Sequence, residues 1–301
     1  MLGVSVVEIE IPVPWGQVSA KIWGDSKDMP VLVIHGIMDN AGSFDHLIPL
    51  LPRQFYYICI DLPGHGLSSH FPAHHPIYTL TYIIVYKLIA DYFDRRRYII
   101  MGHSYGGQLG TLFTQLYPQY VEKLILLDTI TLLPVFTTHF KNYLVEKFDN
   151  YLLMEEKLSK NSNPPSYTYD EAVDKIFLGR YSPITAEAAV ALSHRALKPT
   201  NNGRYMFNLD QRIKHFINPL RDFRYTIETL REDRINCPVL IILGKQSKMQ
   251  LKYMKTVLNY FKKMKNVTVK MVEGYHDVHN DSPEVVAPHI CRFLLKKSAK
   301  L

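Results

Sequence analysis

Residues Gly102-His103-Ser104-Tyr105-Gly106 form a Gly-x-Ser-x-Gly pentapeptide, a spacing that suits a serine nucleophile. An apolar, β-rich run at 98–101 precedes it, and a segment that reads as a buried helix, 107–117, follows and stops at Pro118. Strand, sharp turn and helix is the setting a nucleophile elbow requires. The serine then sits at a strained backbone position that lifts its Oγ clear of the sheet, and the flanking glycines let neighbouring backbone approach without a Cβ clash. The bare pattern also arises by chance, so the weight rests on the strand–helix setting.

A serine nucleophile needs a base, an acid to orient it, and donors for the oxyanion. The expected base is His276, in Glu273-Gly274-Tyr275-His276, between the last strand and the last helix; His279 is its rival among 13 histidines. A metal pair made by His276 and His279 is disfavoured, because both lie in a loop with no third ligand at suitable spacing. Neither a metal nor an organic cofactor is expected. The oxyanion donors are expected to be the backbone N–H groups of Ile37, in His35-Gly36-Ile37-Met38-Asp39-Asn40, and of Tyr105. The acid is harder to place. Gly244-Lys245-Gln246-Ser247-Lys248, after the strand at 239–243, holds no carboxylate. Asp128, at the end of Leu124-Ile125-Leu126-Leu127-Asp128, lies between serine and histidine in chain order and is the candidate. Its plain alternative is an aspartate capping the first turn after that strand. Asp61 ends another strand before a glycine-rich turn, and is read as structural.

The elements that must position these residues follow from hydrophobic periodicity. Residues 4–11 and 17–23 alternate as a hairpin around Pro14-Trp15-Gly16. Runs at 31–34, 56–60, 98–101, 124–127 and 239–243 are apolar throughout, as strands of a parallel sheet buried on both faces must be; 267–272 is weaker. Helices are expected at 43–51, 79–93, 107–117, 251–264 and 283–295, the last opened by Ser282 and Pro283. The fold class is therefore α/β: a mostly parallel, doubly wound sheet with an antiparallel start. From 131 to 233 the rhythm breaks, with helical stretches at 142–158 and 186–197 around a polar loop, 161–166. The expected division is a core at 1–130 and 234–301, with a helical cap insertion at 131–233.

Composition fits a folded protein: 301 residues, 47% hydrophobic and 21% charged, with a net charge of +7. Three scattered cysteines, Cys59, Cys237 and Cys291, argue against a disulfide framework or zinc cluster and favour a reducing compartment. There is no nucleic-acid motif, and no apolar run is long enough to span a bilayer. The first ten residues lack the basic region of a secretory signal. Ala299-Lys300-Leu301 is similar to the Ser-Lys-Leu address read by the peroxisomal import receptor, which would place the protein in peroxisomes rather than the cytoplasm.

Taken together these residues resemble the α/β-hydrolase superfamily, and within it the animal serine hydrolase-like proteins, described as probable serine hydrolases. The carrying segments are Val13-Pro14-Trp15-Gly16, Asp39-Asn40-Ala41-Gly42-Ser43-Phe44-Asp45, Leu47-Ile48-Pro49-Leu50-Leu51-Pro52, Gly64-His65-Gly66-Leu67-Ser68-Ser69, Gly102-His103-Ser104, Lys123-Leu124-Ile125-Leu126-Leu127-Asp128-Thr129, and His276 followed by Val278-His279. The resemblance implies a cap over the active site, a serine-based triad, and association with peroxisomes or perinuclear vesicles. Superfamily members with the acid after the earlier strand exist, in keeping with Asp128.

The leading expectation is hydrolysis of a carboxylic ester or thioester through an acyl-serine, with a small-molecule acyl substrate. The aromatic and apolar residues Phe136, Phe140, Tyr143, Phe148, Tyr151 and Met154 are candidates for an acyl pocket. A peroxisomal address would favour an acyl-CoA, its phosphates beside basic residues. The competing expectation is a hydrolase-fold binding protein with little turnover, motivated by the unusual position of the acid.

Overall fold

The computed structural model describes residues 6–160 and 164–296. Ala299-Lys300-Leu301 and part of the polar loop, 161–163, lie outside the described residues. The first strands, β1 (Val6–Val13) and β2 (Gly16–Trp23), form the expected hairpin. They join β3 (Met29–Ile34), β4 (Phe55–Ile60), β5 (Tyr98–His103), β6 (Val121–Leu127), β9 (Val239–Gly244) and β10 (Val267–Val272) in an eight-stranded sheet. Its order is β1-β2-β4-β3-β5-β6-β9-β10. β2 pairs antiparallel with β4, and all later pairings are parallel.

The continuous apolar runs are explained by the two faces. Successive strand side chains point to opposite sides. Leu32 and Ile34 of β3, Leu124 and Leu126 of β6, and Ile241 of β9 join α1 (Thr79–Phe93), α2 (Ser104–Leu116) and α7 (Lys248–Phe261) in one core. Val31, Val33, Ile125 and Ile242 face the other way, against α9 (Pro283–Leu295). Both faces being covered leaves no position for a polar alternate. The edge strand β10 is half covered, which is why its run is the weaker one.

Residues 43–51 do not form the expected helix. Two short 3₁₀ turns stand there, Ala41–Phe44 and Ile48–Leu50. Pro49 has no N–H to return to the carbonyl of Asp45, so an α-helix through this stretch would lose that hydrogen bond and is disfavoured. The segment between β6 and β9 supplies no strand to the main sheet. It holds α3 (Phe140–Ser159), α4 (Tyr169–Leu178), α5 (Ala186–Ala196) and α6 (Phe223–Glu232). It is not wholly helical: β7 (Leu197–Pro199) and β8 (Tyr205–Phe207) form a small antiparallel hairpin turned at Gly203, whose φ is 72°. α5 is locked to the sheet. Arg195 contacts Asp61 Oδ2 at 2.8 Å and Glu8 Oε1 at 2.6 Å, and donates to Ser19 Oγ at 2.9 Å. A short helix, α8 (Val278–Asp281), precedes α9. No helix among the described residues is long and apolar enough to cross a membrane.

The chain leaves β3 for β4 on one side and returns through β5 on the other. The carboxyl ends of β3 and β5 therefore bound the crevice where an open α/β sheet binds its ligands.

Candidate active site

Ser104 is the first residue of α2, directly after β5, with φ of 47°. A non-glycine residue held there costs about 1–3 kcal/mol and persists only where its surroundings impose it. Here α2 is pressed onto β3. Gly106 N–H donates to the His35 carbonyl at 3.1 Å, and a Cβ on Gly106 would lie 2.5 Å from the carbonyl oxygens of Ile34 and His35. Glycine at 106 thus fixes the turn that presents the serine.

The structure brings the three sequence candidates together. His276 Nε2 is 2.9 Å from Ser104 Oγ, and His276 Nδ1 is 2.5 Å from Asp128 Oδ2. Asp128 follows β6, is fully buried and adopts φ of 47°, a conformation aspartate tolerates. Its Oδ1 accepts from Gly244 N–H at 2.8 Å and its Oδ2 from the Ser247 hydroxyl at 2.5 Å. The stretch that lacks a carboxylate therefore still serves the acid. It furnishes the donors that hold Asp128 as an acceptor toward His276.

His276 is held from behind as well. His103 Nε2 lies 3.0 Å from the His276 carbonyl, and His276 N–H donates to Ser182 Oγ at 3.2 Å. Burial pulls the His276 pKa down, but the hydrogen bond and charge of Asp128, with Asp277 and Asp39 nearby, outweigh it and raise the group above its ordinary 6.5. The base works when neutral. For any ester the chain hydrolyses, kcat/KM should therefore fall as pH drops through a value above 6.5; a profile flat down to pH 5.5 would contradict that. The rival His279 is not part of this chain of contacts. It is fully buried against the His103 and Phe44 rings, centroids 4.0 and 4.9 Å away, and burial holds its pKa well below the ordinary value.

The loop after β3 is a tight turn. Asp39 N–H donates to the Gly36 carbonyl at 3.2 Å, with Met38 at φ of 66°, the geometry of a type II turn. Ile37 is the other central residue of that turn. Tyr105 lies in the first turn of α2, where amide N–H groups have no acceptor within the helix and the dipole favours negative charge. Gly36 is needed for packing: a Cβ there would sit 3.0 Å from both Asp39 Oδ2 and His103 Nδ1. Asp61 is structural, as expected. It accepts from the N–H groups of Ala41 at 2.7 Å and Leu67 at 2.8 Å and pairs with Arg195.

One group escaped the sequence reading. Arg180, between α4 and α5, contacts Asp39 Oδ1 and Asp277 Oδ1, each at 2.6 Å. Burial raises both carboxyls; for Asp39 the arginine outweighs it and the net shift is downward. Asp277, crowded by Asp39 and Asp281, is pushed up to about 6. One guanidinium does not offset three acids, and the excess falls on Asp277. Asp39, His103 and Asp277 lie close enough together to share a metal ion, but the guanidinium already engages both carboxylates.

Ser104 and His276 line a cavity of about 1270 Å³ between the sheet and the inserted segment. This exceeds the usual 300–1,000 Å³ of small-ligand sites and leaves room for an extended substrate. Of the aromatic and apolar series expected to form an acyl pocket, only Met154 reaches this cavity. Phe140 and Phe148 are exposed on α3, and the Tyr143 hydroxyl accepts from Asn218 N–H at 2.7 Å. The apolar wall comes instead from Phe71, Leu158, Ile176, Leu192, Phe207 and Leu209.

The sheet order, the serine elbow after β5 and the histidine after the last strand define the α/β-hydrolase class. The α/β hydrolase fold family model matches residues 29–283. The chain belongs to that family and, within it, to the serine hydrolase-like proteins. It is 32% identical to "Serine hydrolase-like protein 2" of Homo sapiens, over 96% of this chain and 94% of that one. It is 34% identical to "Probable serine hydrolase" of Drosophila melanogaster, over 95% and 87%. Among solved structures it resembles a hypothetical protein of Pseudomonas aeruginosa PAO1, with a TM-score of 0.84, 25% identity, and coverage of 98% of this chain and all of that one. The fold is also that of the thioesterase domain from the curacin biosynthetic pathway, with a TM-score of 0.75, 21% identity, and coverage of 97% and 100%.

Proposed function

We propose that this hydrolase cleaves carboxylic esters or thioesters of apolar acyl groups through an acyl-serine intermediate. The observation that carries the reading is the unbroken contact from Asp128 through His276 to Ser104 at the wall of a large, mostly apolar cavity. Ser104 Oγ attacks the carbonyl carbon while His276 Nε2 takes its proton. The Ile37 and Tyr105 amides receive the oxyanion. Collapse expels the alcohol or thiol, which leaves with the proton from His276. Water, deprotonated by His276, then releases the acid and restores Ser104. Asp128 holds the ring and stabilises its charged form throughout. Helices α3 to α5 and the β7–β8 hairpin act as the cap. A binding protein with little turnover is the less favoured reading, because Asp128 contacts His276 despite its unusual position in the chain.

The mouth of the cavity bears on the leaving group. The acids lining it pair within the lining: Asp39 and Asp277 with Arg180, Asp210 with Arg212, and Glu155 with His74. Three further exposed lysines also line it, Lys175, Lys198 and Lys214. This surplus of positive charge suits a phosphate-bearing carrier, as in an acyl-CoA thioester. The test is a series of acyl chain lengths on neutral p-nitrophenyl esters and on CoA. Turnover should rise with chain length, and added salt should depress kcat/KM for the CoA series more than for the neutral one. Indifference to chain length and carrier would remove this assignment.

A further inference from the structure

We infer that Arg180 is a positioning residue: its guanidinium ties the turn that offers the Ile37 amide to the loop that carries His276, setting oxyanion donor and base relative to each other. The inference rests on the hydrolase reading above and concerns what holds that site in register. Asp39 closes the Gly36–Asp39 turn two residues after Ile37, and Asp277 directly follows His276. Those two segments are about 240 residues apart in the chain, and each presents one buried carboxylate that accepts from one arm of the same arginine's fork. The planar fork is what allows this. A lysine ammonium is a single point charge and cannot hold two separate carboxylates in fixed directions.

The arginine does not come from the sheet. It belongs to the inserted segment, and neighbouring residues reinforce the same attachments. Ser182 Oγ accepts from His276 N–H at 3.2 Å, Thr185 N–H donates to Asp281 Oδ1 at 3.0 Å, and Asn40 Nδ2 donates to the Leu192 carbonyl at 2.9 Å. A second path closes the ring beneath. His103, whose neutral ring lies 3.8 Å from Asp39 Oδ2, touches the His276 carbonyl at 3.0 Å. Without the guanidinium, Asp39 and Asp277 would be two like charges buried side by side, and the loops bearing them would part. Seating of the cap and alignment of the oxyanion donor with the base are thus one event.

The test uses the full-length protein, with Arg180→Lys, Arg180→Met and the charge-neutral triple variant Arg180→Met, Asp39→Asn, Asp277→Asn. A misplacement of about 1 Å at a reacting centre costs about 10²-fold in rate. Arg180→Lys and the triple variant should each lower kcat by about that factor with KM changed less than about threefold. The rate at which a fluorophosphonate probe labels Ser104 should fall in parallel, while thermal unfolding of the triple variant stays close to wild type. Added ethylguanidinium should restore labelling of Arg180→Met, and ethylammonium should not. If the lysine and triple variants keep wild-type kcat and labelling rates, the inference is wrong. If wild type itself fails to label, the hydrolase reading falls but the clamp is still read by hydrogen exchange. Amides 37–39 and 276–278 should exchange faster in the triple variant, and unchanged exchange there would overturn it.

Discussion

Asp128→Asn should lower turnover by at least about 10²-fold, and up to about 10⁴-fold, while leaving the fold intact. The substitution is isosteric, and Gly244 N–H keeps an acceptor. What changes is the atom facing His276. In the wild type, Asp128 Oδ2 accepts from His276 Nδ1 and from Ser247 Oγ together, so both must donate to it. An amide nitrogen at that place would itself donate to Nδ1. The ring would then carry its proton on Nε2, pointing at Ser104, and could no longer accept the serine proton. The carboxylate's hydrogen bond and charge also raise the His276 pKa, so the residual activity should show its acid limb at lower pH than wild type. Steady-state rates across pH, with circular dichroism as the control for folding, check both parts. Wild-type rates in Asp128→Asn would take this residue out of the mechanism.

Ser104→Ala carries the other large effect. It should lower turnover by about 10⁴-fold or more, because the hydroxyl that His276 Nε2 contacts is gone. The hydroxyl of Ser182 accepts from the His276 backbone N–H, whereas Nε2 contacts Ser104 Oγ. The substitution should not destabilise the protein. Alanine at φ of 47° is strained much as serine is, and the hydroxyl removed is the one that contacts His276 Nε2. Measured rates with the most reactive ester of the chain-length series, beside thermal unfolding of the same preparation, decide the matter.

The core was legible in the sequence because two-sided burial leaves a plain signature. The runs 31–34, 98–101, 124–127 and 239–243 inside β3, β5, β6 and β9 are apolar at every position, and helices α1 and α9 begin and end where periodicity and capping place them. The nucleophile was legible because its glycines are imposed by backbone contact, as at Gly106 against β3. The candidate acid was half legible. Chain order and strand end pointed to Asp128, but the donors that fix it, Gly244 N–H and Ser247 Oγ, lie 116 and 119 residues away. In the inserted segment α3 and α5 stand close to the helices expected at 142–158 and 186–197, whereas α4 and α6 were not foreseen; these two bury only Ala172, and Thr226 with Leu230, so their apolar periodicity is faint. Two of its elements did carry local signals. Thr168 and Glu171 form the capping box that starts α4, and Asn201-Asn202-Gly203 marks the turn of the β7–β8 hairpin. Arg180 carried none. An arginine in a loop gains meaning only when folding sets it between Asp39 and Asp277.

His276 Nε2 lies 2.9 Å from the Ser104 hydroxyl, and the proposed mechanism requires that this imidazole activate it. A fluorophosphonate reacts with such a hydroxyl and not with an ordinary serine, so the direct measurement is peptide mass spectrometry on wild-type protein after brief exposure to the probe. A single stoichiometric adduct is expected on the peptide bearing Ser104, abolished in Ser104→Ala and strongly slowed in His276→Ala. No adduct on that peptide, or labelling that persists at full rate without His276, would contradict it.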